Sequence, residues 1–297
     1  MRPATAKPGF ISRHGSMALP GERVKIVFAE QATESGKKIT RGMLKSIWMN
    51  WRTGMCFEDF NSSNIYVSSE GEVKFKGIKR LRKKTQAEHE VQTRQNYLQA
   101  HRVLADIFKG KKLPEDINHL LQMILNEPHK FPIYHIHASL AKEGTKWYMY
   151  VKMYDHLIKT VSDQVREYIL LKLPYQAVWR SKVTTNELLD RTFNFNPNQY
   201  VVTEEKLAAK LLKKGIVWAN LTAAQQARHR LVAEAQHFPD FLRHRTAHRM
   251  DHLAWGKYTA EGSDMVTGVR FPLAMAHLQD ELLNANEIDE LKLEEFF

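Results

Sequence analysis

From Val91 to Asn284 apolar residues return every three or four positions, with capping and helix-breaking residues between the runs. This periodicity constrains the fold more than any other feature. It places an apolar stripe along each of a series of helices and leaves little room for strands. Leu98, Val103, Leu104, Ile107 and Phe108 mark a helix over 96–108. Pro114 opens the next, with Ile117, Leu120, Leu121, Ile124 and Leu125 inward and Asn126-Glu127-Pro128 closing it. Further helices are predicted over 146–161, 163–174, 183–192, 203–214, 222–236, 239–255 and 270–284.

Upstream the pattern changes. Residues 1–36, rich in Pro, Gly, Ser and charge, read as loosely ordered apart from "VKIVF" at 24–28. A helix is predicted over 38–52, with Ile39, Met43, Leu44 and Ile47 on one face. "NIYV" and "VKFKGI" then read as two short strands around a Ser-Glu-Gly turn. Lys74 to Lys84 carries seven basic residues and no acid, which reads as an exposed loop or as an RNA or nuclear-import patch. The expected class is therefore mainly α with one small β-hairpin.

The charge narrows the partners. At 43% hydrophobic the 297 residues can fill a core, and a formal net charge of +11 favours an acidic partner such as RNA, DNA or an anionic surface. The single cysteine, Cys56, rules out an internal disulfide framework or a cysteine-based zinc site and fits a reducing compartment. No apolar run approaches the ~18 residues of a membrane span, and the first 25 residues hold no apolar secretory core. Together these point to the cytoplasm or nucleus. No cofactor-binding pattern is found.

Two stretches carry a resemblance. "FEDFNSSNIYVSSEGEVKFKGI", Phe57–Ile78, spaces Asp59 and Asn64 as protein kinases space the Asp and Asn of their catalytic loop. In kinases this Asp accepts the substrate hydroxyl proton and the Asn holds magnesium. Here His-Arg is replaced by Phe57-Glu58, Asp-Phe-Gly by Gly77-Ile78-Lys79, and nothing upstream supplies a Gly-rich phosphate loop or a strand lysine. Asp59 and Asn64 accordingly read as turn and capping residues, and phosphoryl transfer is not expected. Residues 117–140, with Lys130-Phe131-Pro132 and His137-Ala138, are similar to the end of a kinase C-lobe.

The second stretch, "YVVTEEKLAAKLLKKGIVW", Tyr200–Trp218, resembles the active-site helix of the KEN ribonuclease domain. That module follows the kinase C-lobe in the family of the inositol-requiring kinase/endoribonuclease of the unfolded-protein response and the 2-5A-dependent ribonuclease. "HFPDFLRHRTAHRM" at 237–250 resembles the Phe-Pro helix that closes the module, with a second Phe-Pro at 271–272 as a rival. Tyr200 matches the family tyrosine. Lys213 stands at its arginine, Lys214 at its asparagine and Trp218 at its histidine.

The resemblance implies a truncated kinase C-lobe-like domain over 37–136, a KEN-type all-α domain over 137–256, and a C-terminal helix with an acidic tail over 257–297. It also implies RNA as ligand and a homodimer, or a heterodimer with an active homologue, as partner. Tyr200 and Lys213 are then remnants of catalysis, and Lys210, Lys213, Lys214, Trp218, Arg243 and Arg245 are candidate RNA contacts.

The chemistry of these residues limits what such a site can do. Lysine neutralises a phosphate without arginine's bidentate fork. Indole has one N–H donor and no basic nitrogen, so Trp218 cannot move a proton, a loss worth ~10²–10⁴ in rate. The helix also has a plain explanation: Thr203 caps it, Glu204 and Glu205 suit its first turn, Lys213 and Lys214 its last, and Gly215 ends it, while Leu207, Ala208, Leu211 and Leu212 form the buried stripe. His244, His248 and His252 recur every four residues near His237 and Asp251, which could place imidazoles on one metal. Arg243, Arg245 and Arg249 crowd that helix, so a basic surface is the expected reading and no metal is assigned.

Three readings remain open: a catalytically degenerate RNA-binding or regulatory relative of the family, an active ribonuclease using Tyr200, Lys213 and a nearby histidine such as His229, and a basic helical interaction scaffold.

Overall fold

The computed structural model describes residues 2–3, 11–13, 19–22, 30–83, 85–108, 112–249, 251 and 258–297. The apolar stretch at 24–28, Lys84 and His252 lie outside them. The chain is mainly helical, with small antiparallel sheets. It divides into two compact units. Of the described residues, one holds those within 2–3, 11–13, 30–146 and 293–297, the other those within 19–22 and 147–292.

The first unit opens with β1 (Arg2–Pro3), β2 (Ile11–Arg13) and β3 (Glu30–Ala32). It continues through α1 (Glu34–Arg52), β4 (Met55–Phe57), β5 (Ile65–Val67), β6 (Val73–Phe75), β7 (Arg80–Arg82), α2 (Gln86–Ile107) and α3 (Glu115–Asn126). The Thr33 hydroxyl accepts from the Gly36 amide at 3.1 Å, so α1 begins four residues before the predicted start. Ile39, Met43, Leu44 and Ile47 are all buried, as their spacing predicts.

The predicted hairpin is β5 against β6, Ile65 opposite Phe75 and Val67 opposite Val73, with β1 paired to the other edge of β5. Gly71 takes φ +83° in its turn, a conformation only glycine adopts without strain. α2 carries a capping box in which Thr85 accepts from the Glu88 amide at 3.2 Å and Glu88 returns the favour to the Thr85 amide at 3.2 Å. Trp48, Trp51, Tyr97, Phe131 and Tyr134 meet in an aromatic core, where Trp48 and Trp51 stack at 5.0 Å.

The division between units falls within α4 (Glu143–Lys159). The second unit continues with α5 (Asp163–Lys172), α6 (Trp179–Thr184), α7 (Glu187–Phe195), α8 (Glu204–Leu212), α9 (Ala223–Ala247), α10 (Ala260–Arg270) and α11 (Ala274–Asn284). Three details differ from the sequence expectation. The helix predicted over 183–192 is two, because Asn186 caps α7 by accepting from the Leu188 amide at 3.0 Å. Phe271 and Pro272 end α10, a helix the sequence reading did not predict, and the helix predicted over 270–284 starts only at Ala274. Conversely, the break expected near Pro239 is absent: α9 runs through it. Proline removes one ladder hydrogen bond, and burial of Phe238, Phe241 and Leu242 along that stretch outweighs it.

Residues 19–22 lie in the segment expected to be loosely ordered, yet Leu19 is buried and the Pro20 carbonyl accepts from Asn186 Nδ2 at 2.9 Å. Glu22 is buried between Asn186 and Arg270, with Arg270 2.6 Å from its carboxylate. The core of this unit is aromatic: Trp179, Phe238, Phe241 and Phe271 are all fully buried.

Candidate nucleic-acid interface

The candidate residues sit on α8, on the 3-10 turn that follows it and on α9. Thr203 caps α8, its hydroxyl accepting from the Lys206 amide at 3.3 Å. At the far end Gly215, at φ +76°, lets the Ile216 amide reach the Leu211 carbonyl at 3.0 Å and turns the chain sharply. A 3-10 turn, Trp218–Asn220, packs back against α8. Leu207 and Leu211 are buried, but Leu212 is 63% exposed, so the apolar stripe is narrower than its letters suggest.

Burial sorts the predicted residues. Lys213 is exposed at the helix end, and its ammonium makes no hydrogen bond or ion pair among the described residues. Lys214 is exposed as well and pairs with Asp163, which Arg166 also holds. Lys210 is turned toward α9, donating to Gln236 Oε1 at 3.3 Å. Burial lowers its pKa, and the nearby Asp240 pulls the other way. Arg243 lies 3.7 Å from Asp155.

Trp218 is half-buried. The Arg230 guanidinium lies 5.5 Å from the centre of its ring, and its carbonyl accepts from Gln226 Nε2 at 3.1 Å. His229 follows Gln226 by three positions on α9, which places it on the same side of that helix.

Two assignments are corrected. Arg245 is not a surface cation. It is fully buried, donates to Asp264 Oδ1 at 2.9 Å and Ser263 Oγ at 3.0 Å, and lies 5.0 Å from the Trp147 ring centre. Such a guanidinium cannot reach a phosphate in solvent. Tyr200 is likewise a core residue. Its ring packs 5.6 Å from Trp179 and stacks at 5.4 Å on Phe193, and burial pushes its hydroxyl pKa up, away from any role as an acid or base at neutral pH.

The kinase-like loop is structural too. Asn64 Oδ1 accepts from the Asn61 amide at 3.0 Å and its Nδ2 donates to the Lys76 carbonyl at 3.1 Å, closing the turn at both ends. The Asp59 carboxylate is held by Gln99 of α2 at 2.7 Å. His244 and His248 approach with ring centres 4.7 Å apart, and His248 Nδ1 lies 2.8 Å from Asp251. Among the described residues no three His, Cys, Asp or Glu side chains converge where they could hold a metal ion.

Sequence reasoning missed two arginines. Arg230 was not singled out, although its place at i+4 from Gln226 aligns it with the residue that holds the Trp218 turn. Arg180, on α6, donates to the Tyr200 carbonyl at 2.9 Å, to Glu234 at 3.0 Å and to His237 Nδ1 at 3.3 Å. Burial lowers the His237 pKa, with Glu234 opposing and Arg180 adding to the depression. The Arg180 contacts come from two segments remote from it in sequence, the Tyr200 turn and α9, so no local pattern announces them.

No family model matches the chain, and no curated protein or solved structure matches it. No helix among the described residues is long and apolar enough to cross a membrane.

Proposed function

We propose that the end of α8 and the Trp218 turn form an RNA-binding face that holds its ligand without cutting it, as a degenerate relative of the kinase/endoribonuclease family would. The observation that supports this most is the unpaired, exposed Lys213 ammonium on the helix against which the Arg230-covered indole packs. The Lys214–Asp163 pair is exposed and contributes little, so a phosphate can compete for that lysine. A half-open indole beside cations suits a base stacked above a neutralised backbone. Cleavage lacks its parts: Trp218 has no basic nitrogen, and Tyr200 is buried.

A second reading, an active ribonuclease, finds support in His229, which shares the Gln226–Arg230 side of α9. A regulatory association with a second copy or with an active homologue finds support in Leu212, Val217 and Leu231, large apolar side chains exposed next to the same face. Fluorescence anisotropy with a labelled stem-loop RNA tests the first reading. Lys213→Ala with Lys214→Ala should weaken binding and flatten the salt dependence by roughly 1–2 in log–log slope. Affinity indifferent to salt and to both changes leaves the interaction-scaffold reading in its place.

A further inference from the structure

The first unit contains a cleft of about 1210 Å³ between α1 and the β5–β6 hairpin. Its floor is apolar, with Met49, Val73, Phe75 and Ile78 exposed to it, and its rim is basic. Gly42 brings the hairpin close, since a Cβ there would meet Val73 Cγ2 at 3.1 Å. Four of the lining cations, Lys45, Lys74, Arg80 and Lys142, have no carboxylate partner for their side chains among the described residues. Lys74 on β6 and Arg80 on β7 belong to the basic run 74–84, and the fold brings Lys45 of α1 and Lys142 from the segment before α4 to the same cleft. With Lys37, Lys38 and Arg41 the lining carries seven cations against three carboxylates, and an anionic ligand offsets that excess of positive charge.

The chain itself shows which chemistry this region accepts. Residues 293–297, Leu-Glu-Glu-Phe-Phe, lie against the same unit. Leu293 is buried, Glu294 accepts from His135 Nε2 at 3.4 Å, and the Arg41 guanidinium lies 4.8 Å from the Phe297 ring centre. The Phe296 carbonyl accepts from the Thr145 hydroxyl at 3.0 Å, and Phe297 reaches the cleft wall. An acidic segment with aromatic anchors thus already occupies one end of the basic, apolar-floored surface.

We propose that the rest of the cleft is a docking groove for an acidic peptide of a partner protein, with carboxylates against Lys45, Lys74, Arg80 and Lys142 and an aromatic or leucine side chain on the Met49–Ile78 floor. Glu34, Glu70 and Glu72 also line the cleft. Their carboxylates repel a uniformly charged polyphosphate or nucleic-acid strand but leave room for a peptide whose charges are spaced by apolar residues.

The test is anisotropy of a labelled Glu-Asp-Phe-Glu-Glu-Phe-Asp peptide, with a Lys-for-acid version and a short single-stranded RNA as competitors. Lys45→Glu with Arg80→Glu should weaken peptide binding about tenfold or more, Met49→Asp should weaken it through the floor, and Lys213→Glu should leave it unchanged. Melting curves establish that the variants stay folded. Peptide binding that ignores all the cleft changes, no binding of the acidic peptide, or competition by the RNA that vanishes in the Lys45→Glu/Arg80→Glu variant would overturn the proposal. Because Lys213 is outside this cleft, failure here is distinguishable from failure of the RNA-binding reading.

Discussion

His135 should make the protein measurably weaker in mild acid, and the size of the effect follows from its surroundings. The ring is buried, stacks at 5.6 Å on Trp48, and points Nε2 at Glu294. Burial is the largest influence on it and favours the neutral form; Glu294 opposes, while Arg41 and Lys45 add to the depression. Together they bring its pKa from the usual 6.5 down to about 4.

The folded state therefore resists a proton that the unfolded chain takes up below pH 6.5. Between pH 6.5 and about 4 the unfolded state binds more protons, so stability falls as pH falls. At about 1.4 kcal/mol per pH unit the loss sums to about 3 kcal/mol by pH 4, and none of it is felt above pH 7. Urea unfolding of the wild type and of His135→Phe, which keeps the stack on Trp48, isolates the histidine from carboxylates that titrate in the same range. The difference in unfolding free energy between the two proteins should change by about 3 kcal/mol from pH 7 to pH 4. Parallel curves would refute the reasoning and mean that the ring is protonated in place or hydrated.

Other outcomes follow from the same packing. Arg245→Met strands the Asp264 carboxylate with only Arg249 beside it, and should cost about 3 kcal/mol or more by urea unfolding, without changing RNA affinity. Asn64→Ala removes two closing hydrogen bonds of the kinase-like turn and should cost about 1–2 kcal/mol while leaving nucleotide binding undetectable before and after, read by calorimetry. Trp218→Ala should weaken single-stranded RNA by about 1–3 kcal/mol in anisotropy, with little change in thermal stability because the ring is only half-buried.

Helix positions were legible wherever a cap, a stripe and a stop agreed. α8 and α3 are the clear examples: Ile117, Leu120, Leu121 and Ile124 are buried as their spacing requires, although Leu125, also expected inward, is exposed at the end of α3. Legibility failed where a long-range contact overrode a local rule: aromatic packing carries α9 through Pro239, and the Asn186 cap divides a segment that propensity reads as one helix.

The candidate site was legible in part. Lys213 and Trp218 are accessible, but Tyr200 and Arg245 belong to the interior. A signal for Arg245 was present, since it lies seven residues after Phe238 and three after Leu242, on the stripe that α9 buries. Its partner Asp264 is on another helix, and nothing in the spacing connects the two. The basic cleft was legible only in part: Lys74 and Arg80 lie in the charge run 74–84, whereas Lys45 and Lys142 are remote in sequence and only the fold brings them there.

The most direct test of the central claim incubates a labelled stem-loop RNA with excess protein and resolves the mixture on native and denaturing gels. The expected result is a retarded complex that salt and Lys213→Ala weaken, containing RNA of full length. Shortened RNA that disappears with His229→Ala, or no retardation at low salt, would contradict it.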